Sequence, residues 1–239
     1  LTAALQLPST DLSQRARALN GLASFCLELG DYAANLAYHE EGLALRRQLG
    51  DRLGISTALH NLGLTAVIMG EYDLARERLM ESIDVYPEGD HASELAHLGL
   101  IAQETLDLPS ARRYLQQAYD QAKQAGDGWS KAFVGNYLAD VLRELGEWAA
   151  AEQLALESLR IFSELEDSHF LPDAQLTLAQ LAMNRGEYET AVSLAALAYG
   201  HYAAREDAIM MASALLVQAE LAWETDDAKE ATAMLARAR

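Results

Sequence analysis

The chain has 239 residues, of which 51% are hydrophobic, and its formal net charge at pH 7 is −18. This length is sufficient for one large domain or for a continuous array of repeats. Binding to duplex DNA requires clustered cations. The chain has 36 acidic against only 18 basic residues, of which three are lysines (Lys123, Lys131 and Lys229), and offers no such cluster, so we expect no direct contact with nucleic acid.

A short turn pattern recurs along the chain: a glycine, an acidic residue, an aromatic residue and, three positions later, an alanine. Its copies begin at Gly30, Gly70, Leu106, Gly146, Gly186 and Asp226, of which those at Leu106 and Asp226 are degenerate. The steps between copies are 40, 36, 40, 40 and 40 residues, and a fixed period of this kind is typical of stacked repeats. Glycine suits the end of one helix, and an acidic residue suits the start of the next. The pattern therefore predicts helix pairs, with the aromatic residue and the alanine packed between the two helices.

Small residues stand seven positions before each turn, which favours close approach of helix axes. They are Ala23, Gly63, Gly99, Ala139, Ala179 and Ala219. The resulting repeats have approximate bounds 11–50, 51–89, 90–126, 127–166, 167–206 and 207–239, and residues 1–7 are predicted to end a preceding helix. We interpret the chain as a fragment of a longer protein.

Two prolines modify this periodic scheme. Pro87 opens the Pro-Glu-Gly-Asp segment 87–90, where the period loses four residues, so the preceding helix should be about one turn short. Pro172 would strain a helix capped by Asp167. We therefore expect that helix to begin near Leu171, with residues 168–170 irregular.

The spacing of small residue, glycine, aromatic and alanine resembles tetratricopeptide repeats over nearly the whole chain. The short form of these repeats has about 34 residues, and the present period resembles a longer variety in which the second helix runs into a Gly-Asp turn, as at 50–51 and 126–127. Residues 45–54 with 60–63 resemble sensor regions of large bacterial transcriptional regulators, including the maltotriose-responsive type, and of related signal-transduction ATPases. The resemblance implies an all-α fold: a right-handed α-solenoid of about six stacked helix-turn-helix repeats, forming a single domain over 1–239.

The chain shows no motif for catalysis or for phosphate binding, so we expect neither an enzyme nor a cofactor. His91, Glu94 and His97 come nearest to a metal cluster, but their spacing differs from the i, i+4 pattern of helical zinc sites, and no metal is expected. Cys26 is the only cysteine, which rules out an intrachain disulfide. It should be a small buried residue within a helix.

In a superhelix of paired helices the first helix of each pair lines the concave face, and the repeat phase indicates which residues point inward. The candidates for ligand or peptide binding are Arg17, Asn20, His60, Asn61, His97, Gln103, Phe133, Asn136, Tyr137, Asp140, Arg143, Gln180 and Asn184. Asparagine and glutamine can hold a peptide backbone, and Phe133 and Tyr137 can bury an anchor side chain. The alternative is that these two aromatics simply pack between repeats.

We therefore expect a protein-interaction and sensory scaffold from a bacterial regulator that binds a peptide or partner domain, including other domains of the same polypeptide. The alternative function is small-molecule sensing, for example of a sugar, by a transcriptional activator. No apolar run approaches the ~20 residues that span a bilayer, so we expect no membrane contact and a cytoplasmic location. Exposed array ends would allow self-association. The acidity indicates a solvated surface or, alternatively, a preference for cationic partners.

Overall fold

The computed structural model describes residues 11–224 and 228–237, and within these ranges all regular secondary structure is helical. The helices are α1 (Leu12–Glu28), α2 (Tyr32–Leu49), α3 (Arg52–Ile68), α4 (Tyr72–Val85), α5 (Ala92–Glu104), α6 (Leu108–Ala125), α7 (Gly128–Glu144), α8 (Trp148–Glu164), α9 (Leu171–Asn184), α10 (Tyr188–Ala204), α11 (Ala208–Glu224) and α12 (Ala228–Arg237). The predicted all-α class is confirmed, while the helix end predicted over 1–7 lies outside the described residues. None of the described helices combines the length and hydrophobicity that a membrane crossing requires.

The chain divides into two compact units, one that ends at Leu106 and one that begins at Asp107. In the first unit α1 packs on α2 and α3 on α4, and α3 also contacts α5. In the second unit the packed pairs are α7 with α8, α9 with α10 and α11 with α12, and α9 contacts both α7 and α11. Within each unit the first helices of consecutive pairs are therefore neighbours. The exact repeat bounds and the single-domain interpretation remain predictions.

The glycines of the repeated turn adopt a left-handed backbone conformation. They are Gly30, Gly70, Gly146 and Gly186, with φ from 72° to 80°. Three other residues take the same conformation despite having a Cβ atom: Leu106 at φ 60°, Glu166 at 52° and Glu206 at 56°. Because this region disfavours L-residues other than glycine, the repeat geometry persists at these turns at a cost in local strain.

In the five turns that the structure describes, the acidic residue occupies the N-cap of the following helix, and the length of its side chain determines whether it caps that helix. The Asp31 carboxylate accepts a hydrogen bond from the backbone N–H of Ala34 at 3.1 Å, and Asp107 caps α6 in the same way. Glu71 and Glu187 stand at equivalent positions but make no side-chain cap bond. The shorter aspartate side chain therefore suits the capping geometry, whereas glutamate contributes only its charge to the helix N-terminus.

In the four pairs that begin their second helix at residues 72, 108, 148 and 188, the alanine of the turn pattern is fully buried between the two helices. It is 0% exposed at Ala75, Ala111, Ala151 and Ala191. The aromatic residue is less buried than we predicted, since Trp148 remains 42% exposed. It is the first residue of its helix and thus lies at the margin of the pair. Cys26 is likewise half-buried rather than buried, because it lies in the last turn of α1 beside the exposed Phe25.

Both proline predictions are confirmed. Helix α4 has 14 residues whereas α2 has 18, which is about one turn less. Helix α9 begins at Leu171, and Pro172 lies in its first turn. The Asp167 carboxylate stabilises the irregular turn before α9, because its Oδ1 accepts hydrogen bonds from the backbone N–H groups of His169 and Phe170 at 2.9 and 3.2 Å.

Candidate functional site

Two of the amide side chains predicted on the first helices contact each other in the first unit. The Asn61 Nδ2 of α3 donates to the Asn20 Oδ1 of α1 at 3.2 Å, and both side chains are half-buried. Arg17 lies about one turn before Asn20 and is exposed, and Gln103 is half-buried near the end of α5. The structure thus brings together residues 41 positions apart in the chain.

Glu94 is the centre of a buried polar cluster in the same unit. It is 6% exposed, accepts a hydrogen bond from Ser82 Oγ at 3.0 Å and has its Oε1 3.3 Å from His60 Nδ1. The His60 and His97 rings meet edge-on with centroids 6.3 Å apart. Burial by itself would raise the pKa of Glu94, but the His60 contact and the hydrogen bond from Ser82 outweigh it and lower this pKa.

This cluster connects helices α3, α4 and α5 and has no arrangement suited to a metal. The His97 Nδ1 is occupied by the Ser93 carbonyl oxygen at 2.7 Å, and burial lowers the pKa of His97. Over residues 11–224 and 228–237, no group of three His, Cys, Asp or Glu side chains could hold a metal ion. His60 and His97, both predicted as ligand contacts, thus take part in a partly buried network that connects helices of the first unit.

Asn35 is a structural residue that sequence reasoning missed. It is 0% exposed, its Nδ2 donates to the Ala23 carbonyl oxygen at 2.8 Å, and its Oδ1 accepts from Thr65 Oγ1 at 2.7 Å. It therefore joins α2 to both α1 and α3. The available signal was positional, because Asn35 stands where the turns at 70, 106, 146 and 186 are followed by alanine.

In the second unit, helix α7 carries Trp129, Phe133 and Tyr137 at four-residue spacing, and we call these three residues the aromatic row. The Trp129 and Phe133 rings stack with centroids 5.3 Å apart and an interplanar angle of 9°. The Phe133 and Tyr137 rings are 5.0 Å apart at 69°. Phe170, from the turn before α9, packs edge-on against both Phe133 and Trp129 at 5.1 and 5.4 Å.

The structure thus brings together the predicted Phe133 and Tyr137 and adds Trp129 and Phe170, which sequence reasoning did not include. The spacing of four along one helix was the signal for Trp129, since such positions share a face. No sequence signal indicated Phe170, because it lies in an irregular turn whose direction depends on the packing of α9.

Polar residues accompany the aromatic row. Asn136 is 6% exposed and its Oδ1 has no hydrogen-bond partner, a condition that costs about 1–3 kcal/mol. Arg143 donates to Asp140 Oδ1 from Nη2 at 2.7 Å and from Nε at 2.9 Å. On α9, Gln180 is half-buried and Asn184 is exposed. Only Asn136 thus combines deep burial with an unpaired polar atom among these residues.

A groove of about 480 Å³ lies between the second helices α6 and α8, and no predicted site residue lines it. Arg112 contacts Glu147 at 2.5 Å, and Glu157 accepts from Tyr119 at 2.7 Å and contacts Lys131 at 2.7 Å. Burial and the adjacent Glu157 carboxylate raise the pKa of Tyr119. Because its charged groups are already paired, this groove offers less recognition chemistry than the aromatic row.

Two family models described as tetratricopeptide repeat match the chain, one over residues 14–88 and one over residues 136–167. The human protein G-protein-signaling modulator 1 is 34% identical over 73 residues, which are 30% of this chain and 11% of that protein. The chain therefore spans only a small part of the length of this relative.

Several solved structures share the fold at low sequence identity. The apo form of RapI has a TM-score of 0.82 at 13% identity and covers 99% of this chain and 86% of its own. A signal transduction ATPase with numerous domains and a tetratricopeptide repeat sensor, from Pyrococcus horikoshii, has a TM-score of 0.75 at 15% identity and covers 97% of this chain and 36% of its own. A Rap protein complexed with competence and sporulation factor has a TM-score of 0.73 at 13% identity and covers 95% and 64%. Together with the family matches, these folds show that the chain is an array of tetratricopeptide repeats, a fold that typically serves as a non-catalytic scaffold for protein interactions.

Proposed function

We propose that the chain binds a peptide segment of a partner protein on the first helices of its second unit, with Phe133, Asn136 and Tyr137 as the central contacts. The observation that carries this proposal is the aromatic row on one face of α7. At the equivalent positions of α3 the chain has Leu53, Thr57 and Asn61. The repeat frame therefore does not require aromatic residues there.

Partly exposed aromatic rings are effective anchors for a partner. Each can bury about 150–250 Å², and residues of this type dominate the energetics of interfaces. Phe133 and Tyr137 are half-buried, so they retain surface that a ligand side chain can cover. The unpaired Asn136 Oδ1 would gain a donor if a backbone N–H of the bound segment reached it after a small rearrangement.

The other predicted contacts of the second unit belong to the same proposal as a wider surface. The exposed Asn184 would make a peripheral contact with the bound segment. Asp140 and Arg143 form an ion pair, and Gln180 is a half-buried amide on the neighbouring first helix. In this proposal they determine which sequence binds, while the aromatic residues contribute most of the affinity.

We further propose that the array is the sensory or interaction part of a larger bacterial regulator and that it acts in the cytoplasm. The resemblance of residues 45–54 and 60–63 to regulator sensor regions supports this context. The fold shared with the repeat sensor of a signal transduction ATPase and with a Rap protein complexed with competence and sporulation factor also supports it.

The test is a selection of phage-displayed random peptides on the purified chain, followed by calorimetry with the enriched peptides. The variant Phe133→Ala/Tyr137→Ala should weaken these peptides at least tenfold, because it removes both anchors. Trp148→Ala is the matched control, since Trp148 is an exposed tryptophan of the same unit that begins a second helix. Circular dichroism establishes that each variant remains folded.

Equal affinity of the enriched peptides for the double variant and for the wild type would contradict the proposal, as would the absence of any enriched peptide. A thermal-shift screen of sugars provides the complementary outcome. A sugar that raises the melting temperature of the wild type but not of the double variant would favour the small-molecule alternative instead.

A further inference from the structure

Trp129 is the most exposed ring of the aromatic row. One face stacks on Phe133 at 5.3 Å between centroids, and Phe170 packs edge-on to it. The side chain nevertheless remains 40% exposed. Since Phe133 covers one face, the exposed area must come largely from the opposite face and the outer edge. A flat, rigidly backed aromatic surface therefore stands open to solvent at the start of α7.

The indole is held in place by hydrogen bonding as well as by stacking. Its Nε1–H donates to Asp167 Oδ2 at 2.8 Å. The other oxygen of Asp167 accepts two backbone N–H groups of the turn before α9. Burial alone would raise the pKa of Asp167, but the hydrogen bonds from Trp129 and from this turn lower it. The ring is thus pre-oriented beside an ionised carboxylate.

The charges near Trp129 are predominantly negative. Asp127, two residues before it, caps α7 by accepting hydrogen bonds from the Ser130 N–H and hydroxyl, and these bonds lower the pKa of Asp127. The N-terminus of α7 has a partial positive charge of about +0.5, and the full negative charge of the Asp127 carboxylate is larger than this. The negative charge of Asp167 adds to the remainder, so the net charge around Trp129 is negative.

Lys131, Arg205 and His169 also lie close to this region, and the His169 ring packs edge-on against Phe170 with centroids 4.6 Å apart. The two permanently charged side chains are already paired. Lys131 contacts Glu157 at 2.7 Å. Arg205 donates to the Ser168 and His169 carbonyl oxygens and contacts Asp207 at 3.2 Å. Within the described residues the cation–π contacts are made with tyrosine rings rather than with Trp129. In this part of the chain, no basic side chain therefore lies over the open face of the indole.

We propose that the Trp129 face, with Asp167 at its edge, is a receptor for a cationic side chain of the bound segment, and that it prefers arginine. A cation over an indole face is attracted by the ring quadrupole, and a guanidinium can also stack flat on the ring while donating to a carboxylate. The chain as a whole has a formal charge of −18, which favours encounter with basic partners. The inference rests on the proposed function, because it specifies the chemistry of one residue of that partner.

The tryptophan at this position is not repeated in the neighbouring repeats that we compare. Forty residues later the chain has His169, and the equivalent residue of α3 is Leu53. Trp129→Leu therefore installs a side chain that the fold already accepts at an equivalent, 59% exposed position. The matched control is Trp148→Leu, which changes an equally exposed tryptophan elsewhere in the same unit.

The test titrates the chain with the peptide acetyl-Gly-Arg-Gly-amide and follows the indole N–H signals by ¹H–¹⁵N NMR. We expect a saturable shift of the Trp129 signal, and at least about tenfold weaker binding for the analogue with citrulline, which has the shape of arginine without the charge. The lysine peptide should bind with intermediate affinity. The shift should be absent in Trp129→Leu and retained in Trp148→Leu.

Equal shifts with the arginine and citrulline peptides, or no shift at Trp129, would overturn the inference. These outcomes are distinguishable from failure of the proposed function, because the tripeptide requires only the indole face. If phage-selected peptides lose affinity for Phe133→Ala/Tyr137→Ala but bind Trp129→Leu as tightly as the wild type, the proposed function stands and the cation receptor is rejected.

Discussion

The two units use the same helix-pair frame but differ in the chemistry of the contacts between neighbouring helices. In the first unit, Asn35 bonds to Thr65 and Glu94 bonds to Ser82, and all four residues are buried. In the second unit, α7 carries the aromatic row and Asn136 with its unpaired oxygen. Buried polar groups that form hydrogen bonds with one another stabilise the fold, whereas exposed aromatic rings and an unpaired amide oxygen can still bind a ligand.

The largest effect is expected for Asn35→Ala, which tests the polar network of the first unit. It introduces the residue that the second unit has at the equivalent positions Ala111, Ala151 and Ala191. If the polar network is essential, this change should reduce the free energy of unfolding by about 3 kcal/mol, because it removes two buried hydrogen bonds and leaves a cavity. Urea denaturation followed by circular dichroism, with hydrogen exchange on α2 peptides, measures the loss.

The matched control is Asn20→Ala, which removes a half-buried amide bonded to Asn61 and should cost under about 1 kcal/mol. An Asn35→Ala protein as stable as the wild type would show that alanine suffices at this position, and that the difference between the units is not energetic.

The next prediction concerns acid. Burial, assisted by the nearby positive charge of Arg46, lowers the pKa of His39 in the first unit from 6.5 to about 4. Above pH 6.5 the residue is neutral in both states and has no effect. As the pH falls below 6.5, the unfolded chain takes up a proton that the folded unit cannot. At pH 5 this costs about 2 kcal/mol, and the loss levels off near the folded pKa.

His39→Gln should remove this part of the pH dependence. Hydrogen exchange of α2 at pH 7 and pH 5, corrected for intrinsic rates, is the measurement. All three tryptophans lie in the second unit, so their fluorescence reports that unit separately. In the second unit, burial raises the pKa of Asp173. The contribution of Asp173 to the free energy of unfolding is therefore fully present below the pKa of the unfolded state. It is lost as the pH rises through the pKa of the folded state, which is the opposite direction to the effect of His39. An identical acid response in His39→Gln and wild type would contradict the assignment.

The smallest effect concerns the turns. The first unit has Gly50 at φ 66° and the second unit has Gly126 at φ 73°, whereas the two later equivalent turns of the second unit have Glu166 and Glu206 at φ 52° and 56°. Glu166→Gly should stabilise the second unit by about 0.5–1 kcal/mol, because relief of left-handed strain exceeds the added entropy of the unfolded chain. Thermal unfolding followed by tryptophan fluorescence measures the gain. Gly50→Glu is the reciprocal control and should lower stability, and a destabilised Glu166→Gly protein would show that the glutamate makes compensating contacts.

The fold was predictable to the level of individual turns. The left-handed glycines, the short α4 and the start of α9 at Leu171 all follow from local rules on φ angles, proline and helix period. These rules act over a few residues, so they can be applied to the sequence without knowing which helices pack together. The candidate site was predictable only in part, because repeat phase indicated Phe133 and Tyr137 but not their partner Phe170.

Local sequence patterns are sufficient to specify a series of helix pairs, because each pair has its own turn, its own caps and its own apolar face. Which polar side chains form hydrogen bonds with one another, and which aromatic rings stay exposed, depends on how the folded helices pack. The partners in these contacts are separated in the chain by as many as 41 residues, as for Asn20 and Asn61. Whether such atoms meet depends on how closely neighbouring helices pack, and no local pattern specifies that distance.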